Sequence, residues 1–206
     1  LPKGNKVASI NLGINNLASI VLNDGTWFLY KGIKTKEDYF YLEKKISQVQ
    51  SLADNTKNIG EYEAYDELLK EKKRLFKKLM RRLLHLYRNF AFHLMKKLQE
   101  KGNKFTVNMW SYRKLIDAIE LKAQEYSIKV YEVIEYNTSR YCAYHNIEVK
   151  RNPRGVVSCP LKHKLHSDLN GALNILKKAT GKVLSSIKKP LSFIVEHNRV
   201  APIKGV

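Results

Sequence analysis

Cys142, His145, Cys159 and His163 carry the first chemical signal in the sequence. Two residues separate Cys142 from His145, thirteen residues follow, and three separate Cys159 from His163. Each pair joins a thiol to an imidazole, and a short basic loop with Lys150, Arg151 and Arg154 lies between the pairs. That ligand set and spacing read as a structural zinc site. Both cysteines of the chain fall in this stretch, whereas unrelated buried thiols have no reason to stand beside histidines. His166 competes with His163 for the fourth ligand position. Asp168 follows closely and opens an apolar periodic segment, Leu169 to Lys178, as its expected N-cap. A carboxylate there can cap the helix, bind a metal ion, or do both. Taken alone it reads as an ordinary cap, and its place directly after a knuckle is what points to metal.

The rest of the composition asks for an anionic partner. Lys and Arg number 38 against 19 Asp and Glu, giving a net charge of +19. Such an excess attracts polyanions over long range, nucleic acid first and an anionic membrane surface second. No apolar run is long enough for a bilayer-spanning helix, and the first residues do not read as a secretion signal. Two cysteines cannot build a disulfide framework, and thiols that ligate metal suit a reducing compartment, which points to the cytoplasm. The 206 residues suffice for one α/β domain with a small appendage. The Leu1-Pro2 start leads us to expect that an N-terminal piece is absent.

Positioning these groups falls to a meander and several helices. Val7 to Leu12, Leu17 to Leu22 and Thr26 to Tyr30 read as strands, the last two joined by the turn Asn23-Asp24-Gly25. Lys36 to about Asn58 reads as a helix with Tyr39, Leu42, Ile46, Val49 and Leu52 on its apolar face, interrupted at Gly60. Glu61 to about Lys101 reads as one long helix, because Leu68, Leu75, Leu79, Leu83, Leu86, Phe90, Leu94 and Leu98 recur at three- and four-residue steps. Its other face carries Lys70, Lys73, Arg74, Lys77, Lys78, Arg81, Arg82 and Arg88. With almost no acids to balance them, these are expected to face nucleic acid rather than only solvent. Trp110 to about Tyr126 reads as a helix and Lys129 to Glu135 as a strand. From Ser186 onward only Leu191 to Val195 is apolar, and this tail gives no functional signal.

Several ordered motifs resemble the OrfB (TnpB-like) proteins of insertion sequences. Ser9-Ile10-Asn11-Leu12-Gly13-Ile14-Asn15-Asn16-Leu17-Ala18 looks like the family's first motif. Trp110-Ser111-Tyr112-Arg113-Lys114-Leu115 and Glu120-Leu121-Lys122-Ala123 resemble its next helix, Asn137-Thr138-Ser139-Arg140 leads into its zinc knuckle, and Asp168-Leu169-Asn170-Gly171-Ala172-Leu173-Asn174-Ile175 resembles its last motif. The likeness runs from about Val7 to about Lys178.

This resemblance implies an α/β fold of the RNase H-like, RuvC type: a mixed sheet flanked by helices, with an inserted zinc knuckle. It implies a prokaryotic, transposon-associated protein related to type V CRISPR effectors. Its partners would be DNA and guide RNA, with no membrane and no small-molecule substrate. The domain plan it suggests is a core over residues 1–136 with long basic helices at about 37–101, a knuckle at 137–167, a last core helix at 168–180 and a tail at 181–206. The family cuts DNA with three carboxylates and Mg2+ or Mn2+, beside a structural Zn2+. Asp168 matches the third acidic position. Asn11 stands where the first is expected, and an amide is a neutral, weaker ligand. The second acidic residue should end a strand between the long helix and the Trp110 helix. That strand reads as shortened or missing, with Phe105-Thr106-Val107 a poor substitute, and Glu100 belongs to the preceding helix. The expectation is therefore a nucleic-acid-binding domain of an RNA-guided endonuclease, impaired in cleavage as written. The rivals are a degenerate guide- or DNA-binding protein that never cleaves, and a generic basic zinc-ribbon protein that binds RNA.

Overall fold

The computed structural model describes residues 7–13, 15–99, 104–108, 113–134, 136–153 and 155–203, with 104–108 as backbone only. Strands β1 (Val7–Leu12), β2 (Asn16–Leu22) and β3 (Trp27–Lys31) form an antiparallel meander. The Asn23-Asp24-Gly25 turn closes its second hairpin. Gly25 has φ 78°, a left-handed conformation that glycine adopts without strain, and the Asp24 carboxylate accepts from Thr26 N at 2.9 Å.

Helices α1 (Ile33–Asn58) and α2 (Tyr62–Gln99) follow as a hairpin that turns at Gly60, where φ is 82°. The expected leucine stripe of α2 is buried from Leu75 to Leu98. In α1 the expected apolar face is only partly inside: Leu42 is buried, Ile46 and Val49 pack at its margin, and Tyr39 and Leu52 are exposed. The α2 stripe itself enters the core at Leu75, which leaves the far half of α1 with less to cover it.

Strand β4 (Lys104–Asn108) lies parallel to β1, in register from Val7 opposite Lys104 to Ile10 opposite Val107. The strand expected to be shortened or missing is therefore present, five residues long, since main-chain pairing here requires only an extended segment beside β1. Glu100 and the residues that follow β4, 109–112 with Trp110 among them, lie outside the described residues. Helix α3 (Arg113–Glu125) leads to β5 (Val130–Val133), which is parallel to β4. The small antiparallel pair β6 (Val156–Ser158) and β7 (Lys164–His166) runs directly into helix α4 (Ser167–Thr180).

The segment expected as a tail supplies two more strands. β8 (Leu191–Val195) pairs parallel to β3, and β9 (Val200–Pro202) pairs antiparallel to β8. Their connecting turn is tied to the helices. His197 Nε2 lies 2.5 Å from the buried Asp38 carboxylate, and Asn89 donates to the carbonyls of Glu196 and His197 at 3.3 and 2.6 Å. The sheet order is β5-β4-β1-β2-β3-β8-β9.

Strand alternation divides the core in two. Ala8, Ile10, Ala18, Ile20, Phe28 and Tyr30 meet α2 and α3 on one face. Val21, Trp27 and Leu29 meet Leu169, Ala172, Leu173 and Leu176 of α4 on the other. Ser9 also faces α4, donating its hydroxyl to the Ala172 carbonyl at 2.6 Å. That bond holds α4 against the middle strands of the sheet.

Candidate metal centres and nucleic-acid face

The knuckle ligands sit in two tight turns. Cys142 N donates to Ile147 O at 2.8 Å and Asn146 N returns to Cys142 O at 2.8 Å, with Asn146 left-handed at φ 57°. In the second turn Cys159 N donates to His163 O at 2.9 Å and Lys162 N to Cys159 O at 3.0 Å, with Lys162 at φ 65°. These turns aim Cys142, His145, Cys159 and His163 at one point, and their ligand atoms all lie within 4.8 Å of one another. His145 Nδ1 is 3.7 Å from Cys142 Sγ and 3.3 Å from Cys159 Sγ. Tetrahedral zinc with bonds of about 2.0–2.3 Å spaces its ligands at roughly such separations, so this donor set fits the ion. Both cysteines are buried, and burial pushes the Cys142 thiol above its ordinary range.

His166 has a different job. It precedes α4 as the N-cap, and its Nδ1 accepts from Asp168 N at 3.3 Å. The expectation that Asp168 is the cap is corrected accordingly. The preceding strand β7 delivers an imidazole acceptor to the helix end, so the carboxylate of Asp168, within the first turn, is left for other partners.

Those partners come from the first hairpin. Asn16 donates to Asp168 Oδ2 at 2.6 Å, and Asn11 Nδ2 donates to the Asp168 backbone carbonyl at 3.2 Å. Asn11 rests on Gly171, where an added Cβ would lie 2.8 Å from the Asn11 amide nitrogen. The structure thus brings the two expected catalytic positions, Asn11 and Asp168, together. It adds Asn16, which the sequence reading missed. Its only sequence signal was its place in the first motif.

A two-metal site needs anionic oxygens to hold its cations. Among Asn11, Asn16 and Asp168 only the last is charged. Glu132, on β5, is engaged by Arg113 at 3.1 Å. The described residues do not fit a divalent metal pair as they stand.

On α2, Lys70, Lys73, Arg74, Lys77, Lys78, Arg81 and Arg88 are exposed. Lys73, Lys77, Arg81 and Arg88 recur at four- and seven-residue steps and form one stripe. No acid occurs from Lys72 to Gln99 to neutralise it. Two members of the expected set are partly spent inside the protein: Arg82 pairs with Asp38 at 3.0 Å, and Arg74 with Glu71 at 2.6 Å.

Residues 1–108 match the OrfB_IS605 family, described as a probable transposase, and residues 112–175 match the Cas12f1-like TNB domain. The chain belongs to the TnpB-like (OrfB) family. It is 69% identical to TnpB-like protein ORF457 of Acidianus two-tailed virus, across all of this chain and 49% of that protein. The chain therefore spans about half the length of the curated relative it matches. The aligned stretch is 222 residues long against 206 here, so the relative has positions without a counterpart in this chain. Two solved structures share the fold. One is the Cas12f1-sgRNA-target DNA complex (TM-score 0.56, 18% identity, 85% of this chain and 50% of that one). The other is CasPhi-2 (Cas12j) bound to crRNA (TM-score 0.57, 12% identity, 88% of this chain and 48% of that one). The TnpB-like chain is accordingly an RNase H-like, RuvC-type mixed sheet flanked by helices, carrying a candidate Cys/His metal site. Among the described residues no helix is long and apolar enough to cross a membrane.

Proposed function

We propose that this TnpB-like chain is a RuvC-fold nucleic-acid-binding domain of an RNA-guided DNA endonuclease, with a zinc-loaded knuckle and impaired cleavage. DNA and guide RNA are its partners, and the stripe from Lys70 to Arg88 meets their phosphates. One observation carries the reading: Asn11 occupies the end of β1 beside Asp168 and offers it an amide N–H where a metal site needs a second carboxylate.

Zinc at Cys142, His145, Cys159 and His163 would hold two otherwise separate turns together and supply no catalytic chemistry, because all four positions are filled by protein. Asp168 keeps one carboxylate at this point, but the amides of Asn11 and Asn16 beside it add no charge to hold a divalent ion. The chain's remaining capacity is to bind nucleic acid. The test is to measure affinity for single-stranded DNA, duplex DNA and RNA in parallel with magnesium- and manganese-dependent cutting. Salt-sensitive binding without cleavage is the expected result. Robust cutting by the unaltered chain would overturn the impaired-cleavage reading, and absence of all binding would overturn the rest.

A further inference from the structure

We infer that Asn170 and Asn174 are positioning residues that couple the Cys/His knuckle to the Asp168 carboxylate. The inference rests on the proposed zinc site and explains why two buried amides stand between the knuckle and the first turn of α4.

Asn170 and Asn174 are four residues apart on α4 and so share one face. Asn170 is fully buried and Asn174 nearly so. Asn170 Oδ1 accepts from Ala143 N at 2.9 Å, and its Nδ2 donates to Tyr141 O at 2.9 Å. These two peptide groups flank Cys142, so one amide grips both sides of a metal ligand. Asn174 Nδ2 donates to Thr138 O at 2.7 Å and to the same Tyr141 carbonyl at 2.8 Å. An apolar residue at position 170 would take away the acceptor of Ala143 N inside the protein, which is costly, and one at 174 would remove the second donor to Tyr141 O.

The other side of α4 faces the sheet. Gly171 abuts Asn11, Ala172 accepts from Ser9, and Asp168 meets Asn16. The helix therefore carries the knuckle on one side and the cluster of Asn11, Asn16 and Asp168 on the other. Order imposed on the Cys142 turn by zinc passes through Asn170 and Asn174 to the first turn of α4, and hence to Asp168. Partners of this outer-shell kind commonly change metal affinity by about 10–100-fold when replaced.

The experiment follows amide hydrogen exchange at residues 168–171 in zinc-loaded and chelator-stripped protein, together with zinc affinity by chelator competition. Neither readout needs a guide, a target or cleavage. In the native sequence, stripping zinc should speed exchange there by about tenfold or more. Asn170→Asp keeps the acceptor for Ala143 N and loses the donor to Tyr141. It and Asn174→Ala should lower zinc affinity by about tenfold and shrink the effect of zinc on α4 exchange. Exchange at 168–171 that ignores zinc in the native protein overturns the inference, even if a variant fails to fold. So do variants that keep the full zinc effect. A purified protein with no zinc overturns the zinc reading as well, whereas bound zinc without an effect on α4 overturns the coupling alone.

Discussion

Asn16 donates a 2.6 Å hydrogen bond to the Asp168 carboxylate across 152 residues of sequence. A register shift between Asn16 and Ala18 makes this possible. Ser19 turns its hydroxyl to Trp27 on the α4 side, while Leu17 and Ala18 both join the opposite core. The extra residue in the strand therefore returns Asn16 to the α4 side, as bulges re-aim side chains. Hydrogen bonds to charged groups contribute about 1.5–3 kcal/mol, so Asn16→Ala should cost that much stability in urea unfolding. A loss within the scatter of ordinary surface substitutions would show that the carboxylate is satisfied by water instead.

Gly171 and Asn11 should be coupled. In a helix interior Gly→Ala normally gains up to about 1 kcal/mol. Here the new Cβ would lie 2.8 Å from the Asn11 amide nitrogen, and overpacking of that kind costs about 1–3 kcal/mol. Gly171→Ala should destabilise the native sequence and stabilise the Asn11→Ala background. A double-mutant cycle with equal effects in both backgrounds would disprove the close approach.

The knuckle should carry one zinc per chain, detected by elemental analysis of protein purified without added metal. Cys142→Ala and His163→Ala should release it. His166→Ala should retain it and cost only a helix cap, about 0.5–2 kcal/mol. Stripped protein should also acquire a pH dependence. Burial raises the Cys142 thiol, so the folded state favours the protonated form. Its stability should hold near neutrality and fall as pH rises through the thiol range, about 8.5 and above, whereas zinc-loaded protein should fail on acidification as protons displace the metal. Urea midpoints at neutral and alkaline pH, with and without zinc, separate the two.

The knuckle and the meander were legible because their signals are local. Paired ligands, a turn with Gly25 and a leucine stripe on α2 each declare themselves within a few residues. What the sequence hid depends on distant partners. β4 alternates Phe105 and Val107 with polar residues over only five positions, too short a run to declare itself until it pairs beside β1. Leu191 to Val195 is an isolated apolar run until β3 is there to pair with it. The capping role went to His166 rather than Asp168 because β7 leads directly into α4. Asn16 looked like any polar residue in a motif, since the bulge that redirects it is visible only in the paired strands.

The α2 stripe should bind phosphates without reading bases. Changing Lys73, Lys77, Arg81 and Arg88 to Gln should weaken DNA and RNA alike and lower the dependence of affinity on salt, by roughly 0.9 in slope per lost contact on duplex DNA. Arg82→Gln should behave differently. Its partner Asp38 is buried against His197, so its loss should appear mainly as reduced stability. Filter-binding titrations at several salt concentrations, set beside unfolding midpoints, distinguish these effects. Unchanged affinity for all three nucleic acids would make the stripe a solvated surface.

Asn11→Asp should convert the site into one that demands a cation. The native amide donates to the Asp168 carbonyl; a carboxylate cannot, and it would add negative charge beside Asp168. Without divalent metal the variant should therefore be less stable than the native chain. With metal it should recover, because anionic oxygen is the better ligand for a hard cation. Manganese affinity should rise by at least about tenfold, equivalent to about 1.4 kcal/mol. Adding Asp168→Ala should abolish both the affinity and the metal-dependent recovery of stability. Cleavage is the more demanding readout, since a two-metal phosphodiester reaction needs further acidic ligands. Asn11→Asp alone should remain a poor nuclease, and activity should require a second-motif Glu, the half of the curated relative's length that this chain does not span, and a guide. Tight manganese binding by the unaltered chain, or binding that survives Asp168→Ala in the Asn11→Asp background, would remove Asn11 and Asp168 from the metal site.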